Sequence, residues 1–391
     1  ELGRDIDIFL PIYYHLKEVL GAEIKMSLFY DVHQIKKFKP DIVFLPNIIG
    51  INYYYKIGRI CERDDIVLFA LDSEGNFKTD GSFPIWGNNL DKKFYQDFVC
   101  CWSKRTRDYV RSLEPEIKDR IVTTGNVGAD RYKIYSFQKR EDYLARKGKP
   151  GFKYIVGYAA WAFSKPNYPT GRADLVTYFG GDESKLALVE PQRQKVEAIL
   201  ESAIKNNPDV LFILKVHPLE RKSHEQKIGV NEIDNLIHYD NVIYEDEDSQ
   251  IEDLIGVCDI WTSFESTTSL EAWYMNKYTL VILTDPDFSQ AFKMTPYDKA
   301  QPQVGSGVIF QKYLDEYRQK GRIEDFHLQE QVETREHISN NVFGFDDGFN
   351  QFRALYYLKK SISRSKTLNS KYRAYFKYWL IHTLIQIGMP F

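Results

Sequence analysis

Three short stretches of this chain combine residue types that could take up a proton or hold a phosphate. Asp72-Ser73-Glu74-Gly75 follows the apolar run from Asp65 to Leu71. Two acids at i and i+2, with a glycine that lets another backbone approach, suit a general base that removes a proton from a hydroxyl. Lys215, His217 and Pro218 close the run that starts at Leu211. There the imidazole could donate to a phosphate, while Pro218 fixes the turn and offers a rigid wall to a base. Ser266-Thr267-Thr268 ends the run from Ile260 and opens an amphipathic segment carrying Leu270, Glu271, Ala272 and Tyr274. A strand, a hydroxyl-rich turn and a helix N-terminus together form an anion cradle, because unpaired N–H groups and the helix dipole point at the turn. Glu271, one turn further on, could accept from a ribose diol.

Each cluster also has an ordinary structural explanation. Acids crowd plain turns, a histidine can simply cap a strand, and Ser or Thr before a helix is usually an N-cap. One hydroxyl satisfies a cap, however, so three in succession exceed that need. Asp285-Pro286-Asp287 has the form of a metal-binding triplet, but Pro286 suits an ordinary turn and no metal is assigned.

The elements that must position these residues alternate between strand and helix. Residues 4 to 20 carry apolar residues at spacings of three and four, which predicts an amphipathic helix with Pro11 awkward inside it. Glu23 to Leu28, Asp41 to Leu45, Asp65 to Leu71, Phe98 to Trp102 and Arg120 to Thr124 read as strands, with a helix over Asp31 to Phe38. Phe137 to Gly151 is polar and ends in Gly-Lys-Pro-Gly, as an interdomain linker would. Beyond it the strands are Tyr154 to Tyr158, Val210 to Val216, Asn241 to Tyr244, Asp259 to Thr262 and Tyr278 to Thr284. Helices are predicted over Glu190 to Asn206, Ile251 to Val257 and Ser266 to Tyr274. Continuous apolar strands between helices indicate α/β domains with parallel sheets covered on both faces. The predicted division is 1–145, 152–345 and a tail over 346–391. Two doubly wound domains facing across a cleft would place ligands beyond the strands' carboxyl ends, where all three clusters lie.

With 391 residues, 43% hydrophobic and 15% aromatic, the chain has ample material for two cores. The four cysteines, Cys61, Cys100, Cys101 and Cys258, sit in apolar runs without ligand spacing, which predicts reduced thiols and a cytoplasmic setting. Net charge is −3, yet eight cations and no acid follow Asp347, which leaves −11 for the rest. That balance excludes a general nucleic-acid binder. In the tail, aromatics from Phe352 to Trp379 alternate with lysine and arginine, a composition suited to an anionic membrane surface or to helices that cross back onto the first domain.

The layout resembles a GT-B glycosyltransferase of the bacterial surface-carbohydrate group. It is similar to sialyltransferase-like and Kdo transferase-like enzymes that use CMP-activated sugars. Asp72-Ser73-Glu74-Gly75 stands for the group's acidic motif, His217-Pro218 for its HP motif and Ser266-Thr267-Thr268 for its hydroxyl motif. Arg4-Asp5-Ile6-Asp7, Pro40-Asp41-Ile42-Val43 and Gly125-Asn126 with Asp130 also fit such proteins. The resemblance implies that Glu74, or Asp72, works on the acceptor hydroxyl beside Gly75. It further implies that Lys215, His217 and Ser266 to Thr268 hold the CMP phosphate, with Pro218 near cytosine and Glu271 near ribose. No metal or other cofactor is implied, since a histidine, hydroxyls and a helix N-terminus would offset the leaving group's charge. A sugar acid brings a carboxylate of its own, and Tyr158 to Lys165, with Trp161, Ser164 and Lys165, could line its pocket. The implied partners are a CMP-sugar donor and a glycan acceptor. Ser73 interrupts the acidic pair, and the proline-arginine expected after Gly125-Asn126 is missing. A strand normally precedes the opening helix in this group, so the native start is expected upstream of Glu1. A teichoic-acid-type transferase using CDP-glycerol or CDP-ribitol resembles the same layout, and a non-catalytic sugar-nucleotide-binding subunit is the reading from a different class.

Overall fold

The computed structural model describes residues 6, 8–28, 31–46, 52–72, 75, 93–218, 220, 230–246, 250–264, 266–283, 288 and 299–364. The chain forms two compact units, one running from Tyr135 to Ile338 and the other made of the residues up to Ile134 together with those from Ser339 onward. Both are α/β with parallel sheets, the predicted class.

In the first unit, β1 (Ile42–Leu45), β2 (Val67–Leu71), β3 (Phe98–Cys101) and β4 (Ile121–Thr123) lie side by side in chain order, every pair parallel. β2 and β3 are buried at every position, which explains why their sequences are unbroken apolar runs rather than alternating ones. All four cysteines are buried free thiols. The predicted opening helix is an α-helix over Leu10–Tyr14 followed by a π-helix over His15–Val19, and Pro11 does not fall in a helix interior. Pro11 sits in the first turn of Leu10–Tyr14, where its missing N–H has no partner to lose. Glu23 to Leu28, predicted as a strand, is irregular and mostly exposed, because no described strand pairs with it. An alternating pattern alone cannot hold a strand whose backbone groups find no ladder.

The Asn350–Arg364 helix returns to the first unit and packs against β2 and β3, so this part of the tail crosses back as expected. Its N-terminus is anchored by Asp130, whose carboxyl accepts from Asn350 N at 3.1 Å and Gln351 N at 2.7 Å. Asn350 Nδ2 in turn donates to Asn126 O at 3.0 Å, and Asn126 N donates to Phe343 O. Gly125-Asn126 and Asp130 therefore serve as the docking plate for a helix more than two hundred residues away. Residues 365–391, which carry the rest of the basic aromatic tail, lie outside the described residues.

Burial pushes the Asp130 carboxyl up to about 7 against the pull of those two N–H donors. A raised folded-state value means that the native state holds the proton more tightly than the unfolded chain. This contribution to stability is complete below about pH 4 and is lost as pH rises through about 7. The urea midpoint of the first unit is accordingly expected to fall over that window, and Asp130→Asn should flatten the fall. An identical pH slope in the variant would remove this assignment.

In the second unit, β5 (Tyr154–Ala159), β6 (Val210–Lys215), β7 (Val242–Glu245), β8 (Ile260–Ser263), β9 (Tyr278–Ile282) and β10 (Gln303–Val304) form one parallel sheet ordered β10-β9-β8-β5-β6-β7. Chain direction thus runs outward from β5 through β6 to β7, then returns to the other side of β5 with β8. Alternate strand residues face two cores. Val156, Tyr158, Phe212, Leu214 and Ile260 meet the helices Val189–Asn206 and Gly307–Lys320. Ile155, Ala159, Leu211, Ile213 and Trp261 meet Arg140–Arg146, Ile251–Val257 and Thr268–Tyr274. Phe137 to Gly151 is therefore no linker. Its Arg140–Arg146 helix puts Tyr143 and Leu144 into the second core, and two buried apolar residues outweigh the polar composition of the stretch. Gly157 in β5 meets Trp261 of β8, whose ring would lie 2.2 Å from any added Cβ. Among the described residues no helix is long and apolar enough to cross a membrane.

Candidate functional site

The sheet order places a topological switch point between β5 and β8, the crevice where ligands of open α/β sheets bind. Pairing of Ala159 with both Lys215 and Ser263 brings the carboxyl ends of β5, β6 and β8 into line. Three chain segments leave the sheet there. Their described residues are Ala160 to Lys165, Val216 to Pro218 with Glu220, and Phe264 with Ser266 to Thr268.

At the β6 end, Lys215 is buried and His217 half-buried, while Pro218 is exposed. Loss of solvent first, then the ammonium groups of Lys165 and Lys215, push the His217 imidazole down to about 4. At neutral pH it is a neutral ring that can donate one N–H. Burial likewise lowers Lys165 below the ordinary lysine value, with Asp174 and Glu220 opposing that shift. The Lys165 and Lys215 cations and a neutral imidazole thus share one field with the Asp174 and Glu220 carboxylates. The two ammonium groups and the His217 N–H are the groups there that could meet an anion.

At the β8 end, most hydroxyls hold the turn itself. Ser266 Oγ accepts from Thr268 N at 3.3 Å and lies 2.9 Å from Thr268 Oγ1, which also accepts from Trp261 Nε1 at 2.9 Å. Below them, Ser263 Oγ and Ser269 Oγ are 3.0 Å apart, tying β8 to the Thr268–Tyr274 helix. Of the three predicted hydroxyls, Thr267 is the exposed one, and Glu271 is half-buried one turn on.

The segment after β5 carries Trp161 in a group of aromatic rings. Its centroid lies 4.7 Å from Phe163, 5.6 Å from Phe264 and 6.1 Å from Phe288. Those three are buried, and Trp161 is the partly exposed member. Ser164 is buried and fully engaged, its N and Oγ both donating to Glu220, at 2.9 and 2.7 Å. Trp161 N donates to Glu232 Oε1 at 2.6 Å, as does Tyr158 OH at 2.9 Å. Sequence reasoning missed Glu220 and Glu232. Glu220 had a weak signal in its place one turn past His217, where its N–H donates to His217 O, whereas Glu232 had none.

In the first unit, Asp72 follows β2 directly and is 2% exposed. Its carbonyl accepts from Trp102 Nε1 at 2.5 Å. Gly75 is half-buried, and Glu74 lies outside the described residues, as does Asp285-Pro286-Asp287.

Residues 181–291 match a family model described as capsule polysaccharide biosynthesis protein, a span somewhat over a quarter of the chain. No curated protein matches the chain. Among solved structures, a Listeria monocytogenes protein assigned as a UDP-N-acetylglucosamine 2-epimerase is 11% identical, with 93% of this chain and 94% of that one covered, at a TM-score of 0.49. The wall teichoic acid polymerase TagF is 13% identical over 77% of this chain and 69% of its own, also at 0.49. A Neisseria meningitidis UDP-GlcNAc 2-epimerase bound to UDP-GlcNAc is 11% identical, covering 90% and 89%, at 0.47. The fold class rests on this chain's own strand order.

Proposed function

We propose that the switch-point edge of the second unit binds the phosphate of a CMP-activated sugar acid and that the chain transfers that sugar to a hydroxyl of a surface glycan. The observation that carries the anion site is the shared field of Lys165, Lys215 and His217 beside the switch point. The span matched by the capsule polysaccharide family model includes Lys215, His217, Ser266 to Thr268 and Glu271, which supports a surface-polysaccharide role. CMP and the sugar acid are inferred from the combination of the acidic, HP and hydroxyl motifs.

In the proposed reaction the acceptor oxygen bonds to the anomeric carbon as the bond from that carbon to the CMP phosphate oxygen breaks. The hydroxyl proton passes to a carboxylate, the role proposed for Glu74 or Asp72. Charge gathering on the departing phosphate is met by Lys165, Lys215 and the N–H of His217 without a divalent cation. Thr267 offers the remaining hydroxyl donor, and the Trp161 indole, packed on Phe264, gives a flat apolar surface. Glu74 is the assigned base, because Asp72 is buried at 2% exposure.

Calorimetric titration with CMP, a CMP-sugar acid, CDP-glycerol and UDP-sugars tests the donor. CMP and its sugar are expected to bind; protection by CDP-glycerol and never by CMP would replace this donor with a polyol phosphate. In the same assay His217→Ala should weaken CMP by roughly 10- to 100-fold, the worth of a hydrogen bond to a charged phosphate. Equal affinity in the variant would remove His217 from the phosphate site.

A further inference from the structure

We propose that Glu232 is a positioning residue of this site: it fastens the loop after β5 to the sheet edge and so sets where the Trp161 indole and the Lys165 ammonium stand. The brace is read from geometry, and its effect on nucleotide binding rests on the donor reading above.

Glu232 is wholly buried. Its Oε1 accepts two hydrogen bonds, from Trp161 N at 2.6 Å and Tyr158 OH at 2.9 Å, one on the loop and one on β5 itself. Its Oε2 is buried and makes no hydrogen bond among the described residues. An ionised carboxylate so placed would bury a charge with one oxygen uncompensated, whereas a neutral acid leaves only an unbonded O–H at Oε2, a much smaller cost. Burial, with a smaller push from Glu220, raises the group to about 8, which agrees with the neutral form at pH 7.

Three residues further along the loop, Glu220 holds Ser164 by two bonds. The loop from Trp161 to Ser164 is therefore pinned at both ends by buried acids from other segments, and Lys165 follows the second pin. Titratable groups around Glu232 are Tyr158 on β5 and Glu220 past β6. Glu220 in turn acts on Lys165, Tyr168 and Tyr244 of β7. Ionisation of Glu232 would add a second negative charge beside Glu220 at an edge built for an anion. Raising the pH through about 8 is thus expected to weaken phosphate binding.

Two measurements test this. Hydrogen exchange of residues 158–165, read by mass spectrometry without ligand, is expected to accelerate about tenfold in Glu232→Ala, which removes the acceptor for Trp161 N–H. It should stay close to wild type in Glu232→Gln, whose amide carbonyl still accepts. Between pH 6.5 and 9.5 CMP affinity should fall about tenfold further in wild type than in Glu232→Gln, one unit of lost proton linkage being a factor of ten, whereas loss of the Lys165 charge acts on both alike. Unchanged exchange in Glu232→Ala, or the wild-type pH profile in Glu232→Gln, overturns the proposal. If Glu232→Ala does not fold, the Gln profile decides alone. If exchange responds as expected while neither CMP nor inorganic phosphate binds any variant, the brace stands and the donor reading falls.

Discussion

Replacing Glu74 by glutamine is expected to lower turnover by roughly 10²- to 10⁴-fold, the range that a positioned general base contributes, while CMP affinity is unchanged. The two halves of that result separate chemistry from binding. Gln keeps the size and hydrogen bonding of Glu but cannot take a proton from the acceptor hydroxyl. The residues proposed to hold CMP, around Lys215, His217 and Thr267, belong to the other sheet, and the substitution changes no group among them. Asp72→Asn provides the comparison. Asp72 is buried at the end of β2, so its replacement should show as lost stability more than as lost catalysis. Measuring kcat and CMP Kd on both variants decides between the acids. Full turnover in Glu74→Gln would end the base assignment, and loss of turnover in Asp72→Asn without loss of stability would transfer it to Asp72.

Gly125→Ala is expected to release the crossing-back helix and cost on the order of 2–5 kcal/mol, combining a left-handed backbone penalty with overpacking. Gly125 has φ +82°, and an added Cβ would fall 1.9 Å from Asn350 Oδ1. Asn350 cannot yield cheaply, because its Nδ2 holds Asn126 O and its N–H is held by Asp130. The melting temperature of the first unit should fall by about 5–15 °C. Gly148 is the control. It has φ +65° with nothing within 4 Å of an added Cβ, so Gly148→Ala isolates the backbone term alone. Equal effects at the two glycines would show that Asn350 moves aside and that the docking plate is softer than its geometry implies.

Nearly every strand was legible because both faces of each sheet are covered, so a strand such as Val210–Lys215 reads as a nearly continuous apolar run. Where the reading failed, local pattern met a tertiary contact it could not contain. Glu23 to Leu28 alternates like a strand but has no described partner. Phe137 to Gly151 has a linker's composition, yet Tyr143 and Leu144 fill a core. The hydroxyl turn after β8 was legible as a turn, but its internal bonding was not: Ser266 and Thr268 bond each other, Thr268 N and Trp261, and Thr267 is the exposed member.

By itself, the sequence determined the α/β class, the buried strands and the chemical character of the three clusters, because burial and turn chemistry are written in residues that are neighbours along the chain. Only the tertiary structure decided that β8 returns beside β5, which sets Ala160 to Lys165 next to Phe264 to Thr268 at one switch point. It also decided that Glu220 and Glu232 turn inward to hold that loop. Strand order is a matter of which distant faces bury each other, and a buried acid is affordable only where distant donors meet it, so neither could be read from spacing.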